Sequence, residues 1–161
     1  MYLSPQEAGM WEARLPTEKI IREPIAALLV EEMQQFIRFS EEMRFKIEFC
    51  LQEGLQNAVV HGNLEVTMPL LSLEDFEHAQ NIIEHRLTIP LFNQRQVQVV
   101  CRLFSESLEL NIKDEGKGFS IAEKQKETLF GRGFMLMTEL SDGFSYCQKT
   151  TTLQILFKKL S

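Results

Sequence analysis

Between Leu51 and Asn63 the chain reads Leu-Gln-Glu-Gly-Leu-Gln-Asn-Ala-Val-Val-His-Gly-Asn, with Glu53, Asn57 and His61 at every fourth residue. On a helix this spacing stacks a carboxylate, an amide and an imidazole on one face, one turn apart. Leu51, Leu55, Ala58 and Val59 fall around them at helical spacing, so part of the same helix is buried. Polar groups beside a buried stripe need partners. Either they reach solvent, or another part of the molecule or a ligand meets them. Gly54 inside such a helix costs about 1 kcal/mol relative to Ala. A close approach beside Glu53 and plain helix packing both account for it.

The remaining elements follow from local signals. Met1 to Gly9 reads as a frayed or edge segment. Trp11 to Leu15 alternates as a first strand, stopped by Pro16. Thr17 is a candidate cap for a helix from about Glu18 to Phe39, whose regular part begins at Pro24. Ser40 followed by Glu41 and Glu42 starts the second helix, which carries the Glu53–Asn57–His61 face and ends at Gly62 as a left-handed residue. Ser72, with Asp75 three residues on, caps a helix to about Leu87 with Phe76, Ala79, Ile83 and Leu87 as its stripe. Pro90 ends that segment. Gln96 to Phe104 and Leu108 to Asp114 pair as a hairpin, and Asp114 shares the inward parity of Leu108, Leu110 and Ile112. Ser120 and Glu123 form a capping box for a short helix over Ile121 to Glu127. Gly133 to Leu140 reads as a helix, and Phe144 to Gln148 with Thr151 to Lys158 as a closing hairpin. These elements predict an α/β fold, a two-layer sandwich with helices on one face of a mixed, mostly antiparallel sheet.

Two glycine-bearing loops join the helix face: Asp114-Glu115-Gly116-Lys117-Gly118-Phe119 and Gly131-Arg132-Gly133-Phe134. The E-x-x-x-N-A-x-x-H-G run from Glu53 looks like the N box of the GHKL, or Bergerat-type, ATP-binding fold shared by histidine kinases and gyrase-type ATPases. D-x-G-x-G looks like its first glycine box and G-R-G its second. Each motif alone is weak, and the three in this order are a strong signal. Within that family the chain resembles the anti-sigma factor serine/threonine kinases and their stand-alone ATP-binding relatives. The resemblance implies one domain over 1–161, a lid at about 117–133 and, beyond the short kinases, an inserted helical segment at about 64–95.

The resemblance also implies roles. ATP and Mg²⁺ are the expected cofactors. Asn57 is the expected Mg²⁺ ligand, in keeping with the ion's preference for one or two protein oxygens. Glu53 orients or deprotonates the attacking hydroxyl. Asp114 accepts from the adenine amine, and Thr151 lies near the base on the last strand; Thr150 stands where the family usually has Gly. Gly116 and Gly118 permit positive φ and a close backbone approach. Gly131 and Gly133 flank a helix start where N–H groups can bind phosphate. Arg132 either adds a charge-assisted contact or is a solvated lid residue. His61 either touches phosphate or only caps its helix.

The implied function is an ATP- and Mg²⁺-dependent kinase that binds a sigma factor and phosphorylates a serine on an anti-sigma-factor antagonist. The alternative is a non-catalytic ATP-binding module that sequesters a signalling partner; an isolated ATPase is a weaker third reading. A homodimer is compatible with either. A net charge of −6 argues against a nucleic-acid backbone as ligand. No apolar run approaches the roughly 20 residues of a membrane span, and no basic-then-apolar leader opens the chain. Cys50, Cys101 and Cys147 have neither metal-ligand nor disulfide spacing and sit among apolar residues, so buried free thiols in a bacterial cytoplasm are expected.

Overall fold

The computed structural model describes residues 4–7, 9–68, 71–104, 106–119 and 131–161. Six strands form one sheet: β1 (Ser4–Glu7), β2 (Met10–Pro16), β3 (Gln96–Leu103), β4 (Ser107–Lys113), β5 (Gly143–Cys147) and β6 (Thr152–Lys158). Their order is β1-β2-β3-β4-β6-β5, and all five pairings are antiparallel. The sandwich expected from the sequence is therefore present, with an antiparallel sheet. Strand alternation builds the core face. Trp11, Ala13 and Leu15 of β2, Val97, Val99 and Cys101 of β3, Leu108, Leu110 and Ile112 of β4, and Leu153, Ile155 and Phe157 of β6 are all buried. The other face is polar, crossed by Glu12–Arg14, Gln98–Glu12 and Arg102–Glu109 contacts.

The expected long first helix is two helices. Glu23 is extended (φ −123°, ψ 153°), as the residue before a proline prefers to be. Helix α1 (Thr17–Arg22) therefore stops there and α2 (Ile25–Gln34) begins after Pro24. Thr17 does not cap α1; it is the first helical residue and lies wholly buried. Phe36 lies beyond α2, 60% exposed against the Trp11 ring rather than in a helical stripe.

Helix α3 (Glu41–Asn57) starts as its cap chemistry requires, with the Ser40 hydroxyl accepting from Met43 N–H at 3.1 Å. It lies across the sheet at Gly54. A Cβ there would stand 2.6 Å from Ile112 Cδ1 and 3.0 Å from a Leu153 methyl. Of the two accounts of this glycine, helix-on-sheet packing is the one realised.

The end of this helix departs from expectation. Residues Ala58–Asn63 wind as a π-helical turn, with Leu64 N–H reaching Val59 O at 2.8 Å. Gly62 is not left-handed; the positive φ falls on Glu65 (52°). All six residues of the turn are buried. π-turns inside helices are uncommon and gather at functional sites.

Helix α4 (Leu73–Leu87) is capped by Ser72, whose hydroxyl accepts from Asp75 N–H. Ala79, Ile83 and Leu87 are its buried stripe. Phe76, expected in that stripe, lies in the first turn of α4 and is 48% exposed. Pro90 opens the short helix α5 (Pro90–Asn93), taking the first-turn position where its missing N–H costs nothing. Helix α4 is fastened to α1 by a two-pronged Arg22–Glu84 pair at 2.7 and 2.6 Å, and to the chain after the π-turn by Arg86 Nη1 donating to Leu64 O. Helix α6 (Gly131–Leu140) starts two residues earlier than expected and packs on α3. The capping box of Ser120 and Glu123 and the helix expected over Ile121 to Glu127 lie outside the described residues.

Among the cysteines, Cys50 and Cys101 are buried and burial raises both thiols to about 12. Cys147 is exposed, and hydrogen bonds from Thr150 lower its thiol. Its strand lies at the sheet edge, so its apolar neighbours in sequence do not enclose it.

Candidate functional site

The end of α3, the π-turn, the loop after β4, the start of α6 and the start of β6 meet at one end of the sandwich. Four glycines and a threonine show how tightly. A Cβ on Gly62 would stand 2.6 Å from both carboxylate oxygens of Asp114. A Cβ on Gly116 would stand 2.5 Å from the carbonyl carbon of Gly62. The glycine at 116 is thus needed for contact with the π-turn and not for a positive φ, whereas Gly118 does take φ +78°. A Cβ on Gly133 would collide with Glu53 Oε2, so α6 lies directly on the Glu53 carboxylate.

Asp114 is 3% exposed, as its strand parity requires. Its Oδ1 accepts from Gly116 N–H at 2.8 Å. Burial raises the acid to about 6, against the lowering effects of the Gly116 bond and the Arg95 charge. The start of β6 backs it: Asp114 N–H donates to Thr151 O at 3.2 Å, and the Thr151 hydroxyl donates to Asp114 O at 2.6 Å. Thr151 does this at φ +50°, a region costly for a β-branched residue. Strain of this kind is tolerated where surrounding structure over-determines it. The left-handed conformation falls on Thr151 and not on Thr150 before it.

Asn57 is 5% exposed, and its Nδ2 has no hydrogen-bond partner among the described residues. A buried amide with unmet hydrogen bonding calls for a partner from outside the fold. One turn earlier, Glu53 is half-buried, and burial raises its carboxyl above the usual range. His61 is buried at 4% exposure, with Nδ1 2.6 Å from Val66 O, and its ring meets the Phe119 ring edge-on. His61 thus stands in the last turn of the π-helix, with one ring nitrogen on a carbonyl beyond the helix end and its ring against Phe119. Arg132 is exposed on the outer side of α6. Gly131 opens α6.

Thus Glu53, Asn57, His61, Asp114, Gly116, Gly118, Gly133 and Thr151 border one region, while Arg132 faces solvent. Sequence reasoning missed three contributors. Phe119 stacks on Tyr146 at 4.4 Å, with Phe134 and Phe144 beyond, giving the region an aromatic side. The π-turn was read as plain helix. Asn63, wholly buried, has no role in the sequence reading. A buried asparagine has four hydrogen-bonding positions to fill, which was the available signal.

The residues fit a nucleotide with its metal ion. Asn57 offers an oxygen to a cation and an unsatisfied N–H pair to phosphate oxygens, and Asp114 keeps an acceptor oxygen beyond the Gly116 bond. No described helix is long and apolar enough to cross a membrane. No curated protein matches the chain. The model of the histidine kinase-like ATPase domain, however, matches residues 18–158. That span runs from α1 to the last residue of β6 and takes in every element that borders the site, so the chain belongs to the histidine kinase-like ATPase domain family.

Proposed function

We propose that this ATP-binding domain is a Mg²⁺-dependent serine/threonine protein kinase of the anti-sigma type, which binds a sigma factor and phosphorylates an antagonist of that inhibition. The observation that carries the reading is Glu53: a half-buried carboxylate, raised by desolvation, one turn before the unsatisfied Asn57 amide. Mg·ATP supplies the phosphoryl group. Asn57 holds the ion through its amide oxygen, and Asp114 accepts from the adenine amine while Thr151 fixes the backbone behind it. Glu53 takes the proton of the incoming serine hydroxyl, a task that favours a carboxylate above its usual pKa. Phosphoryl transfer otherwise depends on positioning and charge neutralisation, which the close-packed glycines serve. Two measurements test the reading. Calorimetry with Mg²⁺ should show ATP or ADP binding that Asn57→Ala weakens; no binding at millimolar nucleotide refutes it. Glu53→Ala should bind nucleotide and fail to phosphorylate the antagonist.

A second reading, a binding module that sequesters a partner without phosphoryl transfer, draws support from the insert. Leu71, Leu73 and Phe76 at the start of α4 are exposed apolar side chains, as a docking surface requires. Nucleotide and partner binding by wild type with no phosphate transferred to the antagonist would favour this reading.

A further inference from the structure

Asn63 sits at the centre of a buried polar cluster. It is 0% exposed. Its Oδ1 accepts from the Glu115 N–H at 2.7 Å, and its Nδ2 donates to the Thr17 hydroxyl at 2.9 Å. Its carbonyl accepts from Arg95 Nη1 at 2.7 Å. The Thr17 hydroxyl in turn donates to Arg95 O at 2.7 Å. One residue thus ties the end of the π-turn to α1 and to the loop after β4 through its side chain, and to the residue before β3 through its carbonyl.

The tie to the loop is the consequential one. Glu115 stands between Asp114 and Gly116, whose N–H is the donor to the Asp114 carboxylate. Fixing the Glu115 amide fixes the Asp114–Glu115 peptide plane, which carries the carboxylate on one side and leads to its Gly116 donor on the other. Further clamps act on the same loop. The Glu115 carboxylate accepts from Gln96 N–H at 2.6 Å, and Lys117 pairs with Glu65 at 3.2 Å. Both of those are exposed, whereas the Asn63 bond is partly buried, with its Asn63 end wholly out of water. A buried amide bond in a low dielectric is worth more, and costs more to break, than an exposed one.

We infer that Asn63 is a positioning residue for base recognition: through Glu115 N–H it holds the Asp114 carboxylate where it reads the adenine amine. This rests on the reading of Asp114 given above. It assigns the selectivity of the pocket to a residue that touches no part of the nucleotide.

Inosine triphosphate, which carries an oxo group in place of the amine, is the probe. Wild type should prefer ATP over it by at least about tenfold, as the loss of a hydrogen bond to a charged group predicts. Asn63→Ala should bind both alike, while Asn63→Asp, which keeps an acceptor for Glu115 N–H, should retain much of the preference. A packing variant in α4, Ile83→Ala, should lower Tm and leave the preference intact, so that lost stability and lost positioning are told apart. If Asn63→Ala is folded and still prefers ATP as wild type does, the inference is overturned. If Asn63→Ala does not fold, Asn63→Asp decides: a preference as low as for Asp114→Asn overturns the inference, and a retained one supports it. Wild type that binds neither nucleotide refutes the site reading itself. Wild type that binds both equally overturns the inference together with the Asp114 base contact it rests on, and leaves nucleotide binding by the site standing.

Discussion

Gly62 and Asp114 touch through a space that no side chain can enter: a methyl group on Gly62 would lie 2.6 Å from each oxygen of the Asp114 carboxylate. The π-turn therefore presses its backbone onto the acid, and the acid's burial follows from that contact. The neighbouring Gly116 presses back on Gly62 in the same way.

Gly62→Ala is accordingly expected to damage nucleotide binding more than it damages folding. The atoms it meets belong to a side chain with little room to turn, and overpacking of this kind costs roughly 1–3 kcal/mol. Thermal melting measures that cost. ATP titration should show a loss larger than the same variant's stability loss implies, because the displaced group is the base acceptor.

The raised Asp114 acid gives stability a definite pH sign. Its folded value, about 6, lies above that of an unfolded aspartate. Stabilisation is therefore full below roughly pH 4 and is lost as pH rises through about 6. The burial that raises the Glu53 carboxyl acts in the same direction. Subtracting the two isolates Asp114: the stability of the nucleotide-free wild type relative to Asp114→Asn should fall between pH 4 and 7, by on the order of 2–3 kcal/mol. A flat difference would contradict the burial argument.

Gly133→Ala should separate catalysis from folding. The new methyl meets only the far end of the Glu53 side chain, which can swing aside at little cost to stability. Its displacement should lower the phosphoryl-transfer rate, up to the 10²–10⁴-fold typical of losing a general base, with Tm nearly unchanged. Normal transfer by this variant would place the reacting hydroxyl elsewhere.

On the insert, Glu77 and Glu84 differ although both are exposed on α4. Glu84 accepts both prongs of Arg22. Reversing Glu84 alone should loosen α4 from α1 and lower Tm, and the exchange Arg22→Glu with Glu84→Arg should restore it. Glu77→Lys should leave Tm where it was and report on partner binding alone.

How far the sequence reveals this structure depends on how local each signal is. Ser40 and Ser72 cap where their hydroxyls and following acids say they must, because a cap is decided within three residues. The alternation of β3, β4 and β6 is legible for the same reason, and so is the burial of Asp114. The π-turn was not legible. Its extra residue per turn becomes worthwhile only when Gly62 meets Asp114, and that contact spans 52 positions between Asn63 and Glu115. Thr17 was read as a cap from its neighbours, yet its hydroxyl is used by Asn63 and by Arg95, 78 positions away. Cys147 and Phe76 sit in apolar stretches but at a sheet edge and a helix end, and sequence neighbours do not report such borders.

The Arg95 guanidinium binds Asn63 O and Glu65 Oε1, so the excursion from the π-turn to β3 leaves and re-enters the fold through one doorway. What lies beyond that doorway has no say in how β3 registers against β2 and β4. Its length is a nearly free variable, since doubling a flexible loop adds only about 0.6 kcal/mol to the entropy of closing it. Ala79, Ile83 and Leu87 nevertheless share one core with the sheet, so the stretch is a cassette with a fixed inner face: on a post of three residues, its outer side is free to vary while its stripe is not.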